Sequence, residues 1–98
     1  MVTATYIVAP ENEPQFLDAM RSVRHTRMRT GAVQWGIFRH GEAHDRLVEV
    51  YVVPTWGEHL RQHGGRLTGT DRDIELRARA LAERPPEVAH LLPTGSSG

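Results

Sequence analysis

Apolar residues fall along this chain in short blocks whose spacing alternates between strand-like and helix-like. Val2 to Val8 is rich in Val, Thr, Tyr and Ile, the composition of a strand. The run Pro10-Glu11-Asn12-Glu13-Pro14 breaks it. Asn12, followed three residues later by Gln15 and with Pro14 early, predicts a helix start capped by Asn12. Phe16, Met20 and Val23 share one face of that helix, with Leu17 beside them, and Gly31 predicts its C-terminal stop. Ala32 to Arg39 and Leu47 to Val53 read as the second and third strands. The short polar loop His40 to Asp45 makes them an antiparallel hairpin. After Pro54, Thr55-Trp56-Gly57-Glu58 fits a capping box, in which Thr55 caps and Glu58 reaches back. The helix it opens runs to about His63 and stops at Gly64-Gly65. Thr70 as cap, with Asp73 three residues on, predicts a further helix. Ile74, Ala78 and Leu81 give it an apolar stripe, and Glu75 and Arg79 an i,i+4 pair. Pro85-Pro86 ends it, and Glu87 to Leu92 makes a fourth strand.

Strand, helix, strand, strand, helix pair, strand is the α+β, ferredoxin-like split β-α-β arrangement, with helices on one face of an antiparallel sheet. It predicts a single domain over residues 1–93, followed by a flexible tail over residues 94–98. A sheet covered on one face should alternate apolar and polar residues. The third strand does not. Val48, Val50 and Val52 point one way, while Leu47, Tyr51 and Val53 point the other, with only Glu49 polar. The second strand puts Val33, Trp35 and Ile37 on one face and Phe38 on the other. Both faces at the sheet centre are therefore apolar, and a second copy is the simplest cover for the face without helices. The pattern predicts a homodimer burying ~800 Å² per partner.

Composition narrows the function. The 98 residues carry 12 basic and 12 acidic side chains, a formal net charge of zero, and every basic residue is Arg. A neutral chain has no overall field to attract a polyanion, so nucleic acid is not an expected partner. Cysteine is absent, which removes disulfides, thiolate nucleophiles and Cys-ligated zinc and fits a cytoplasmic location. No window approaches the roughly 18 apolar residues of a membrane helix, so no membrane insertion of this chain is expected. The N-terminus has no basic region of a signal peptide. Neither a nucleophile-elbow serine nor a phosphate-binding glycine loop is present.

The sharpest local signal is Glu58-His59-Leu60-Arg61-Gln62-His63. His59 and His63 lie one helical turn apart, a spacing at which two imidazoles can chelate a metal ion or supply a base. The alternative is a pair of surface histidines. Trp35 reads as a core or dimer contact or as the wall of a flat ligand's pocket, and Trp56 as a packing anchor. Arg21, Arg24, His25, Arg27 and Arg29 form the one local basic cluster. It reads as a solvated face with some arginines paired to Asp18 or other acids. Arg66, Thr68, Thr70, Asp71 and Arg72 follow a glycine pair suited to a mobile loop or a turn. Glu49 shares a strand face with Tyr51, and once buried it needs a partner or a raised pKa.

Three stretches carry a family resemblance: Arg29-Thr-Gly-Ala-Val-Gln-Trp-Gly-Ile-Phe-Arg39, then Val48-Glu-Val-Tyr-Val-Val-Pro-Thr-Trp-Gly-Glu-His-Leu-Arg-Gln-His63, then Arg66, Thr68 and Asp71. Over about residues 2–93 the chain resembles the soluble C-terminal domain of bacterial major-facilitator efflux proteins, the transmembrane secretion effectors. That domain in turn resembles the antibiotic biosynthesis monooxygenases, dimeric α/β barrels. The transmembrane part of such a transporter is missing, which implies an excised domain or a stand-alone relative. The resemblance implies a homodimer whose pocket, between sheet and helices, takes a small aromatic or polyketide-like molecule. It implies oxidation or rearrangement without a cofactor. His59 or His63 would be the base, Trp35 the wall and Arg66 the anion anchor, with Tyr51, Phe38 and Glu49 as further substrate-binding candidates. Two alternatives stay open: a non-catalytic ligand-sensing or dimerisation module linked to an efflux transporter, and a heme- or metal-dependent enzyme using His59 and His63.

Overall fold

A computed structural model of the chain describes residues 1–55 and 69–94. The described elements are β1 (Val2–Ile7), a 3-10 turn (Pro10–Asn12), α1 (Glu13–Arg29), β2 (Gln34–His40), β3 (Ala43–Val52), α2 (Gly69–Ala80) and β4 (Glu87–His90). The four strands form one antiparallel sheet in the order β2-β3-β1-β4, the ferredoxin-like order expected from the element sequence. The helix expected from Thr55 to His63 lies outside the described residues.

Register decides which side chains share a face. Val2 stands opposite Tyr51, Ala4 opposite Glu49 and Tyr6 opposite Leu47, while Trp35 pairs with Tyr51 and Ile37 with Glu49. Paired residues point the same way, so these positions form the covered face. Phe16, Ala19, Met20 and Val23 of α1 and Ala78 of α2 close over it, and Tyr6 meets Phe16 edge-to-face with ring centroids 5.0 Å apart. Phe16, Met20 and Val23 are essentially inaccessible to water. At about 1.5–3 kcal/mol per fully buried large apolar side chain, they supply most of the docking energy of α1. The opposite face carries Val48, Val50 and Val52, half-buried, with Phe38 59% exposed. Among the described residues no helix covers it.

Local expectations differ from the structure at several boundaries; β2, for one, begins at Gln34 rather than Ala32. Asn12 does not cap α1: its backbone is already helical (φ −96°, ψ −8°) and closes the 3-10 turn through its N–H to the Ala9 carbonyl, so its side chain makes no capping bond. β3 begins at Ala43 rather than Leu47, leaving only Gly41 and Glu42 as the turn, with an irregularity at Arg39/His40. His44, Asp45 and Arg46 are polar and exposed, yet strand formation is settled by backbone pairing. The Asp45 carbonyl accepts the Val8 N–H at 2.8 Å. Thr70 lies inside α2, which is already formed at Gly69. β4 stops at His90, two residues short of Leu92. The stop of α1 is as expected. Gly31, at φ 121°, lets its N–H reach the Met28 carbonyl and the Ala32 N–H reach the Arg27 carbonyl at 2.9 Å, the paired closure of a Schellman motif.

Candidate functional site

The C-terminal turn of α1 places an arginine in the interior. Arg27 falls on the same helical stripe as Phe16, Met20 and Val23, at steps of four, three and four residues. It is buried with them, 5% exposed. Its backbone is fixed by the helix closure, in which the Arg27 carbonyl accepts the Ala32 N–H, while the Thr30 hydroxyl donates to the Thr26 carbonyl at 2.7 Å. The expectation that the basic cluster of α1 is solvated therefore holds for Arg21, which pairs with Asp18 at 3.9 Å on the surface, and fails for Arg27. The reason is angular: one position in each turn of this cluster faces the sheet.

Beneath Arg27 lies Glu49, on the central strand β3 and with none of its surface exposed. The Arg27 guanidinium donates to it twice, from Nε at 3.0 Å and from Nη2 at 3.4 Å. The Trp35 indole Nε1 donates to the same carboxylate at 2.9 Å. Arg27 also donates from Nη1 to Glu75 of α2, and its guanidinium carbon sits 4.7 Å above the centre of the Tyr51 ring. One turn along, Asp71 of α2 accepts from the Thr26 hydroxyl at 3.3 Å and from Arg29. Four elements thus meet through one charged core: α1 and α2 above, β2 and β3 below.

Electrostatics follow from this dry packing. Burial would lower the pKa of Arg27, but attraction to Glu49, reinforced by Tyr51, the Glu49 hydrogen bond and Glu75, outweighs it and holds the group above its ordinary value. Burial pushes the Tyr51 hydroxyl up to about 12, with Glu49 adding to the rise and Arg27 opposing it. Tyr6 is likewise pushed up to about 12 by burial first and Glu49 second. Both phenols are therefore neutral near pH 7 and neither is a ready base. Glu49 accepts three hydrogen bonds, two from a guanidinium and one from an indole, which fix the carboxylate in place. Its chemical capacity is to fix the plane of Trp35 and to present a rigid polar floor.

Trp35, Glu49 and Tyr51, three of the residues singled out from sequence, come together here, and Glu49 has the partner its burial demanded. Phe38 stands on the uncovered face, apart from Glu49 and Tyr51, and with Trp35 it lines an open hollow of about 350 Å³ completed by Met1, Gln34, Gly36, Val50 and Val52. His59, His63 and Arg66, with Trp56 and Thr68, lie outside the described residues. The chain enters that stretch after Thr55, just past β3, and leaves it at Gly69, two residues before Asp71. Arg27 and Glu75 were missed as members of the site. The helical stripe through Phe16, Met20 and Val23 is the signal for Arg27, whereas the sequence offers Glu75 only an i,i+4 pair with Arg79. Among the described residues there is no group of three or more His, Asp or Glu placed to hold a metal ion, and no helix is long and apolar enough to cross a membrane.

Several solved structures share this architecture. A conserved protein from Methanosarcina mazei Go1 aligns with TM-score 0.75 at 16% identity, over 90% of this chain and 85% of its own. A protein from Bordetella bronchiseptica, provisionally described as an antibiotic biosynthesis monooxygenase, aligns with TM-score 0.75 at 23% identity, over 95% of this chain and 94% of its own. SnoaB, a cofactor-independent oxygenase from Streptomyces nogalater, aligns with TM-score 0.66 at 16% identity, over 95% and 91% respectively. At these identities the likeness is one of fold, that of the antibiotic biosynthesis monooxygenase-like proteins. No curated protein matches the chain. The transmembrane secretion effector family matches it over residues 1–97, and the chain belongs to that family.

Proposed function

We propose that the chain is a small-molecule domain that binds a flat aromatic or polyketide-like compound and oxidises or rearranges it without a cofactor, working as a homodimer. The observation that carries this reading is the desolvated Arg27–Glu49–Trp35 network. It fixes an indole plane between sheet and helices, in a fold shared with a cofactor-independent oxygenase. Burial of two charged groups, Arg27 and Glu49, against one another suits a site that must be rigid. Trp35 is the wall of the pocket, with its cross-strand partner Tyr51 beside it on the same face. Both phenols hold their protons near pH 7, and the base in this reading is His59 or His63, with Arg66 anchoring the resulting anion. The substrate supplies its own electrons. An enolisable tricycle loses a proton to the histidine, and its carbanion reduces oxygen. One oxygen atom enters the product as a carbonyl and the other leaves as water. Phe38 belongs instead to the contact with the second copy, on the face carrying Val48, Val50 and Val52.

Anthrone is a suitable probe, since its conversion to anthraquinone consumes one oxygen molecule and releases one water. The reading expects oxygen uptake above the uncatalysed rate, lost in His59→Ala together with His63→Ala. Uptake unchanged in both variants removes the histidines from the chemistry. Sedimentation of a monomer at micromolar concentration removes the homodimer.

The family match favours a second reading, a non-catalytic sensing or dimerisation module tied to an efflux transporter. Saturable quenching of tryptophan fluorescence by aromatic probes, with no oxygen uptake on any of them, selects it.

A further inference from the structure

On the same uncovered face that the reading above gives to a second copy, but at the end of the sheet away from Tyr51, lies a polar hollow of partly and fully exposed residues. It is lined by Thr5 and Ile7 of β1, Arg46 of β3, Arg84 and Pro85 of the connection into β4, and Glu87 of β4, and measures about 290 Å³. Each wall is held by backbone structure. Arg46 is paired with Ile7, and Glu87 with Thr5. The connection is pinned where the Glu83 N–H donates to the Ile7 carbonyl at 2.8 Å, and Pro85-Pro86 stiffens it on the other side of Arg84. Arg46 and Arg84 thus line one hollow from two independently anchored stretches of chain. Among the described residues neither arginine is held in an ion pair, which is also true of Arg24, Arg72, Arg77 and Arg79; what sets Arg46 and Arg84 apart is that they line one hollow. Two arginines face a single carboxylate, Glu87, so the hollow carries a surplus positive charge in a molecule whose net charge is zero.

We propose that this hollow binds a small ligand through an oxyanion, a phosphate or carboxylate group, taken by Arg46 and Arg84. Guanidinium forks match two oxygens of such a group, and the Thr5 hydroxyl offers a further donor. The volume is at the lower end for small-molecule sites, which suits an anionic headgroup or a compact metabolite rather than a polymer. Ile7 and Pro85 give the hollow an apolar margin, and Glu87 opposes a second negative charge and sets the affinity.

Titration with inorganic phosphate and, separately, with malonate, against sodium chloride at matched ionic strength, tests this by amide and guanidinium NMR shifts. The expected result is saturable shifts at Thr5, Arg46, Arg84 and Glu87. Arg46→Gln and Arg84→Gln each weaken binding about tenfold, the loss of one charge-assisted contact. Glu87→Gln tightens it, a change of opposite sign that a merely structural residue would not give. Tighter phosphate than malonate assigns a phosphate-bearing ligand, and the reverse a carboxylate. Shifts that fail to saturate in the millimolar range, or that fall equally on Arg24, Arg72 and Arg77, overturn the proposal. So does an unchanged affinity in Arg84→Gln, which lies in a connection and leaves the sheet intact.

Discussion

Replacing Arg27 by Met keeps the length of the side chain and removes its charge. Glu49, with none of its surface exposed, would then keep only the Trp35 indole, at 2.9 Å, of its three hydrogen bonds. Glu75 is partly exposed and can turn to water. The loss is therefore dominated by one uncompensated buried carboxylate, about 3–5 kcal/mol by analogy with other broken buried pairs. Against a domain stability of about 5–15 kcal/mol, that is a large share of the total. At about 4–8 °C per kcal/mol for a chain of this size, Tm should fall by at least about 12 °C. Urea unfolding followed by circular dichroism, at one fixed protein concentration, measures the loss.

The double variant Arg27→Met with Glu49→Leu separates a charge effect from a packing effect. Removing both partners abolishes the buried charge and leaves the indole N–H without an acceptor, about 1–3 kcal/mol. The double variant should therefore be more stable than Arg27→Met alone, a coupling that independent sites would not show. The reasoning fails if Arg27→Met costs less than about 1 kcal/mol, or if the two substitutions simply add.

Three further outcomes follow from the same geometry. Tyr6 and Tyr51 hold their protons to about 12 in the folded chain, against an ordinary value near 10, so the folded state binds more protons in that interval. Each stabilisation, about 2–3 kcal/mol, is complete below pH 10 and lost as pH rises from 10 to 12. Tyrosinate absorbance should then appear together with unfolding; ionisation near pH 10 with the fold intact contradicts it. Trp35→Phe removes the indole donor to Glu49 and should cost about 1.5–3 kcal/mol in urea, whereas a neutral result would mean the bond holds nothing in place. Gly31→Ala forces a side chain into φ 121° and should cost at least about 1 kcal/mol, with the frayed end of α1 visible as faster amide exchange at Ala32.

Much of the fold was legible because the elements are punctuated by residues with one local meaning. Gly31 ends α1 and the Pro85-Pro86 pair precedes β4, where the chain order placed them. Boundaries moved where backbone pairing overruled side-chain character, as at His44 to Arg46, or where a competing turn took the capping residue, as at Asn12. The site was half legible for a different reason. Strand alternation marked Glu49 as an acid among buried neighbours, and burial required a partner, but no local pattern names a partner 22 residues away on another element. Arg27 was hidden by company. Three arginines around it on α1 are exposed, and composition alone assigns all four to solvent. Helical angle separates them, since only Arg27 continues the line through Phe16, Met20 and Val23. An unmatched acid on the covered face of a sheet and one base on the apolar stripe of the helix above it are thus complementary signals. Each looks like a defect by itself, and together they locate the charged core before any coordinates exist.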